Sequence, residues 1–512
     1  MNLISKYKKE IFLFFLISVL YFIFRLIFLE RLPIFTDEAI YLRWAQIALH
    51  DSAWRFISLT DGKQPLFVWF AMVFMKFIKD PLLAGRLVSV LFGFFTLIGL
   101  WCLTFELFKN KKTAFLTTVL YVFYLFAQVY DRMALMDGMV GTFAIWSLFF
   151  SVLLVRKIRL DIAYTLGFVI GAGVLTKTSD FFSIYLLPFT VLLFDFKSKY
   201  LKQRLVKWVV FGLFAVAISQ IFYSVLRLSP LFEMISAKNA IFVYPFSEWL
   251  QHPFTFFTGN LHGLLSWLFS YLKAPYILLI IISLVFINKF TKEKILLFLY
   301  FLLPFVALAL FGRIIFPRFI YFMSLYLIPL AGWSLSFISD FVENKLKLDK
   351  SQYLKYLVNV AIVAVFAAYS GFISFQFAQN PVTAAIADSD SNQYVNNWSA
   401  GWGVKESVEY FQEKAQDGKI FIATEGTFGL MPESMEMYLV QNPNVTIKGY
   451  WPIENMLPKE ALGYAKKMPS YFIFYQPQHV IIPSDFPLKL IFQVKEGGSN
   501  YFYRVYQILP QK

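Results

Sequence analysis

The 512-residue chain is 58% hydrophobic and 20% aromatic but only 15% charged, with a mean hydropathy of +0.60. That excludes an ordinary soluble globular protein, whose charged share is about one-quarter. The net charge of +15 does not point to nucleic acid either, because the basic residues sit in short clusters between apolar runs, the pattern of cytoplasmic loops.

Lys6, Lys8 and Lys9 precede an apolar run from Ile11 to Leu29. The run is too long for a signal-peptide core and no small-residue cleavage site follows it, so it is read as a retained first helix. Further apolar runs near the roughly 20 residues a span requires predict membrane helices at 10–29, 82–107, 113–130, 138–155, 161–178, 181–196, 208–226, 263–288, 294–312, 317–339 and 354–376. The basic clusters Lys6 to Lys9, Lys109 to Lys112, Arg156 to Arg159, Lys197 to Lys207, Lys289 to Lys294 and Lys345 to Lys355 then share one side, the cytoplasm by the positive-inside rule. Gln64 to Ile78 is apolar but short, and it ends in Lys76, Lys79 and Asp80. Counting it as a span would spoil that parity, so it is read as a helix lying in the outer interface.

The expected fold class is therefore a polytopic α-helical membrane protein of about eleven spans, covering residues 1–379, with interfacial helices in an outer loop at 30–81. From about Asn380 Pro, Asn, Asp, Ser and Gly rise and apolar runs of spanning length stop. Strand-like runs Lys419 to Ala423, Tyr471 to Tyr475, Leu488 to Val494 and Tyr501 to Leu509 alternate with helical stretches 404–416 and 432–441. Residues 380–512 are expected to form a soluble α/β or α+β domain outside the membrane. The N-terminus is expected in the cytoplasm of a plasma or inner membrane.

Five polar groups fall on the outer side of this topology. Asp37 and Glu38 follow the first span; on these residues alone the first turn of a helix capped by Thr36 is the readier reading and a catalytic pair the other, and the two are compatible. Lys63, in Gly62-Lys63-Gln64-Pro65-Leu66, suits a lipid phosphate or a snorkelling anchor. Asp131, Arg132 and Asp137 share a short loop, where a local Asp–Arg pair is the plain alternative. Lys177-Thr178-Ser179-Asp180 and Arg313 to Arg318 complete the set. The four histidines lack ligand spacing. The lone Cys102 lies in an apolar run, where it excludes an intrachain disulfide and has no mark of a catalytic thiol. No Walker A, dinucleotide or nucleophile-elbow motif is present.

In order and spacing these motifs resemble the GT-C glycosyltransferases, in particular the protein O-mannosyltransferase and lipid A aminoarabinose transferase group. The carriers are Asp37-Glu38-Ala39 with Tyr41 and Trp44, Lys63-Gln64-Pro65-Leu66 with Trp69, Arg132 to Asp137, the Gly171 to Lys177 helix end, and Phe316-Pro317-Arg318-Phe319. The match covers about residues 1–340. Gln64 stands where the group has a proline, and Phe319 where it has a tyrosine. The resemblance implies a polyprenyl-phosphate-linked sugar as donor, a protein, lipid or glycan hydroxyl as acceptor, and inversion at the anomeric carbon. It implies Asp37 as general base assisted by Glu38, and Lys63, Arg132, Lys177 and Arg318 as cations on the departing phosphate, with Asp137 and Tyr41 in support. No cofactor is assigned, a divalent metal is left open, and the partners are membrane lipid rather than nucleic acid. A lipid or sugar transporter and a non-catalytic scaffold or receptor are the alternatives from other classes.

Overall fold

The computed structural model describes residues 8–286, 290–347, 351–454, 456–479 and 481–511. Lys6, Lys289, Lys350 and the Lys9 side chain, which entered the charge pattern above, lie outside the description.

The molecule is a multi-pass membrane protein. Helices occupy each of the expected spanning segments. Among the described residues seven are long and apolar enough to cross a membrane: Pro81–Phe108, Met136–Lys157, Leu201–Leu228, Phe257–Val285, Thr291–Phe311, Arg318–Lys345 and Gln352–Gln379. Ile11–Leu26, Leu160–Thr176 and Thr178–Leu193 are shorter apolar helices. The expected 113–130 segment breaks at Tyr124, whose extended backbone separates Lys111–Phe123 from Leu125–Tyr130. Close packing depends on small residues where helices cross. A Cβ on Gly332 would lie within 2.9 Å of the Thr117 backbone, so only glycine admits the Lys111–Phe123 helix there.

At one end of the bundle the loops meet through ion pairs. Lys112 Nζ binds Asp340 at 2.8 Å and Glu343 at 2.6 Å, and Lys355 binds Glu343 at 2.6 Å. Arg156 reaches Glu106 and Glu293, each at 3.0 Å. This is the end that gathers the basic clusters at 109–112, 156 and 345–355.

The opposite end carries the segment after Gln379. Its short strand β2 (Ala400–Gly401) pairs antiparallel with β1 (Ile34–Phe35), just after the first helix. The main sheet comprises β3 (Ile420–Glu425), β4 (Val445–Tyr450), β5 (Ser470–Phe474), β6 (Leu488–Lys495) and β7 (Phe502–Ile508), in the order β4-β3-β5-β7-β6. The first three are parallel, and β7 joins β5 antiparallel. Four of these strands match the sequence expectation. Strand β4 was not expected: it is an edge strand that alternates half-buried and exposed residues, a weak signal of burial. The helix Glu433–Leu439 docks on Thr36–His50, with Arg43 Nε 2.8 Å from Glu436 and Gln46 donating to the Met437 carbonyl at 2.8 Å. Asp390 enters the bundle, where Tyr130 donates to it at 2.6 Å and Tyr271 also bonds it.

Candidate active site

The site is built on the helix Thr36–His50. Thr36 does not cap it by its hydroxyl, which instead donates to the Ser399 carbonyl at 3.1 Å. The adjacent acids then diverge, because successive helix residues point about 100° apart. Glu38 turns inward and is fully buried. Its carboxylate takes Arg86 Nε and Nη2, both at 2.9 Å, the Phe35 N–H at 2.9 Å and the Ala134 N–H at 2.7 Å. Arg86 in turn donates to the carbonyls of Leu29, Leu32 and Pro33. All the polar capacity of Glu38 is used in tying the first loop to two helices, so the expected assisting role for it is corrected to a structural one.

Asp37 keeps a partly open side chain and accepts from Arg318 Nη1 at 2.7 Å. Burial alone would raise its carboxyl pKa. The charges of Arg318, Lys63 and Lys177 outweigh that and hold it below the ordinary value. Arg318 lines a cavity of about 400 Å³ together with Tyr41, Lys63, Asp137 and Lys177; Asp37 is not in that lining and is linked to it through Arg318. Tyr41 follows Asp37 by one helical turn and so shares its face. Much of the remaining wall is apolar, with Phe242, Leu308, Phe311 and Phe319 among its residues.

Lys63 is placed by a tight turn. Gly62 has φ +63°, and a Cβ there would meet the Met234 carbonyl at 2.4 Å and Lys238 Cβ at 2.5 Å. The ammonium lies 5.5 Å from the Phe242 ring, and among the described residues no carboxylate pairs with it. Burial lowers its pKa; Asp37 opposes this, Arg318 and Lys177 add to it, and the result is about 8. Lys177 differs: it binds Asp137 at 2.7 Å and lies 4.9 Å from the Phe319 ring.

Arg132 is the second correction. It is 2% exposed and donates to the carbonyls of Phe24, Arg25, Ile27 and Phe28 at 2.8–3.1 Å. It closes the C-terminal end of the first helix, whose last carbonyls would otherwise lack partners, and it stands apart from the cavity. Asp137 supports Lys177 rather than Arg132. Asp131 pairs with Arg25 at 3.0 Å instead of with its neighbour in sequence. Arg313, 3.9 Å from Glu248, is half-exposed and outside the cavity lining. Among the described residues no group of three or more His, Cys, Asp or Glu side chains converges as metal ligands.

The cavity also holds residues that sequence reading passed over. Lys238, paired with Asp61 at 2.5 Å, and Asn239 come from the short helix Met234–Phe242. That helix follows a span without any recognisable motif. Its one signal is the Lys-Asn pair, which repeats the lysine-then-polar pattern of Lys63-Gln64 and Lys177-Thr178.

Residues 62–223 match the family described as dolichyl-phosphate-mannose-protein mannosyltransferase. No curated protein matches the chain in sequence. Among solved structures, ArnT from Cupriavidus metallidurans in the apo state superposes with a TM-score of 0.57 at 12% identity, covering 99% of each chain. The same protein bound to undecaprenyl phosphate gives 0.54 at 12% identity, covering 99% of this chain and 100% of that one. The oligosaccharyltransferase AglB from Archaeoglobus fulgidus, in complex with an inhibitory peptide and a dolichol-phosphate, gives 0.50 at 14% identity over 86% of this chain and 65% of its own. The chain has the GT-C glycosyltransferase fold and resembles the protein mannosyltransferase and ArnT group within it.

Proposed function

We propose that the chain is a glycosyltransferase that moves a monosaccharide from a polyprenyl-phosphate donor to an acceptor hydroxyl on the extracytoplasmic face, with inversion. The observation that carries the reading is Lys63. A cation at a largely apolar cavity ordinarily finds a counter-ion, and this one has none among the described residues, beside Lys177 and Arg318. An anionic head group supplies the missing charge. The undecaprenyl phosphate bound by ArnT and the dolichol-phosphate bound by AglB are of that chemistry. The pairing of basic loops at the far end of the bundle supports a cytoplasmic location for that end. The cavity and the 380–512 domain then lie outside.

In the transfer, the bond from the anomeric carbon to the phosphate oxygen breaks and polyprenyl phosphate leaves. The acceptor oxygen bonds to the opposite face of that carbon, and its proton passes to the Asp37 carboxylate. Arg318 orients Asp37 through their hydrogen bond. Lys63, Lys177 and Arg318 stabilise the charge that grows on the departing phosphate. Asp137 holds Lys177, and Tyr41 presents a neutral phenol, since burial keeps its pKa well above the ordinary value. The matched family makes a mannosyl donor the first to try.

The test is transfer of radiolabelled sugar from polyprenyl-phosphate mannose in membranes, comparing wild type with Asp37→Asn. Loss of transfer in a folded variant supports the base assignment; equal transfer by both sinks it.

A further inference from the structure

Asp390 belongs to the 380–512 segment, on the helix Asp388–Tyr394, and its side chain is fully buried in the bundle. Tyrosines surround it. Tyr130 donates to Oδ2 at 2.6 Å, and Tyr271 bonds the same oxygen. Tyr130 has thereby used its proton, so the 3.2 Å contact between its oxygen and that of Tyr394 is a bond that Tyr394 donates. Hydroxyls directed inward in this way suit the carboxylate rather than the acid. A buried carboxylate requires a cation, yet among the described residues no lysine or arginine forms an ion pair with Asp390.

The nearest such charge is Arg318, one packed layer away. Its guanidinium carbon lies 5.8 Å from the centre of the Phe35 ring, and that ring stands 4.8 Å from the ring of Tyr394. Arg318 Nε and Asp390 Oδ1 are both buried and lack a hydrogen-bond partner among the described residues. Burial raises the Asp390 carboxyl to about 7; the tyrosine bonds and the Arg318 charge work against that rise, and Asp137 adds to it. Arg318 therefore serves two carboxylates: Asp37 by a 2.7 Å hydrogen bond, and Asp390 across space.

With the cavity read as a lipid-phosphate site, on which this rests, we infer that Asp390 is a positioning residue of that site, brought by the C-terminal segment to moderate the pull of Arg318 on the phosphate. A cation already shared by two acids holds a third anion less tightly. After transfer the polyprenyl phosphate must leave before another donor enters, and too firm a hold slows turnover. The C-terminal segment thereby contributes a charge to the site and not only a cover.

The groups that face Asp390 are Tyr130 and Tyr271 from the bundle, Tyr394 from its own helix, and the charges of Arg318 and Asp137; Asp388, on the same helix, is exposed. Tyrosines stay neutral well past about pH 8, and Asp137 is already paired with Lys177. Among these groups Asp390 is the one that changes charge near pH 7.

The experiment measures polyprenyl phosphate binding by the purified full chain in lipid nanodiscs, wild type against Asp390→Asn, from about pH 5.5 to about pH 8.5. Asparagine keeps an acceptor for Tyr130 and Tyr271 and removes the charge. Well below pH 7 the wild-type acid carries its proton, so the two proteins should bind alike. Above it the ionised acid weakens wild type, and Asp390→Asn should bind roughly three- to thirtyfold more tightly. Lys63 and the ionisation of the phosphate act on both proteins and cancel in the ratio. Tyr271→Phe keeps the acid but removes a bond to its charged form, so the pH at which its affinity falls should move up. That variant carries the test if Asp390→Asn does not fold. A purely structural role predicts instead that Asp390→Asn loses affinity and melting temperature together. An affinity ratio that does not rise with pH, or a Tyr271→Phe profile identical to wild type, would overturn the inference and leave the donor reading intact. Failure of wild type to bind the lipid at any pH would overturn both.

Discussion

Two sets of charges lie close together in this molecule and are finished differently. In the buried set, Glu38, Arg86, Asp131, Arg25 and Arg132 are bonded many times over. Asp131 alone takes Arg25 and the hydroxyls of Tyr121 and Tyr321, while Arg25 also reaches the Val122 carbonyl. At the cavity, Asp37, Lys177 and Lys238 each have a single ion-pair partner, and Lys63 has none among the described residues. Buried charges are costly unless they are paired and hydrogen-bonded. Saturation therefore marks a group that holds the fold, and an unfilled remainder marks one that waits for a ligand. Adjacency in sequence separates the sets poorly, since Asp37 and Glu38 fall on opposite sides of the line.

The sharpest way to break the comparison is to treat the two acids alike. Asp37→Asn keeps a hydrogen-bonding side chain toward Arg318 and is expected to lower transfer by about 10²–10⁴-fold, the usual worth of a positioned general base, with the thermal melt nearly unchanged. Glu38→Ala strands Arg86 in the interior and is expected to cost about 3–5 kcal/mol of stability, read as a large drop in melting temperature in detergent. If Glu38→Ala were to melt like wild type and lose only activity, the division into two sets would be wrong.

Lys63→Ala comes next. A hydrogen bond to a charged group contributes about 1.5–3 kcal/mol, so affinity for polyprenyl phosphate should fall roughly 10- to 100-fold. Arg132→Ala should instead weaken the fold and leave lipid affinity in the surviving folded protein unchanged. The lowered Lys63 pKa also sets a pH dependence. The ammonium is present below about pH 8 and is lost above it, so affinity for an anionic lipid should decline as pH rises through that value. On the acid side Asp37 stays ionised below the ordinary carboxylate range. Transfer should therefore persist to pH values at which an unperturbed aspartate would already have gained its proton. A pH profile of binding that is flat from 6 to about 9 would remove Lys63 from the phosphate site.

These contrasts also show why the sequence was legible in some places and not in others. Spans and loop charges are one-dimensional properties, so the helical bundle and the clustering of basic loops could be read directly. The strands β3, β5, β6 and β7 of the C-terminal segment were visible as apolar runs, including the half-exposed edge β6, whereas β4, whose apolar residues are broken up by Thr446, Lys448 and Gly449, was not. The site was half legible. Lys63, Lys177 and Arg318 lie in motifs held by short loops and line the cavity, and Asp37 is hydrogen-bonded to Arg318. Glu38 and Arg132 belong to the same motifs, but their direction depends on helix azimuth and on carbonyls contributed by the first helix, neither of which the local sequence states. Lys238 and Asn239 were missed because their helix reaches the cavity only through tertiary packing against Gly62.

The smallest expected effect concerns the link between the two parts of the chain. Arg43, on the same helix as Asp37, binds Glu436 with both side chains only partly buried. Such a pair contributes about 0.2–1 kcal/mol, and β1–β2 pairing with the Thr36–Ser399 bonds secures the same junction independently. Arg43→Ala should therefore leave the melting temperature within a degree or two (~1 kcal/mol or less). It loosens the surface on which Glu433–Leu439 rests, at the helix that carries the proposed base. If the C-terminal segment does no more than cover the site, transfer should be unaffected. If its docking sets the orientation of Thr36–His50, kcat should fall modestly while affinity for polyprenyl phosphate, which depends on Lys63, stays constant. That split would separate the acceptor side of the site, organised by the C-terminal segment, from the donor side organised by the bundle.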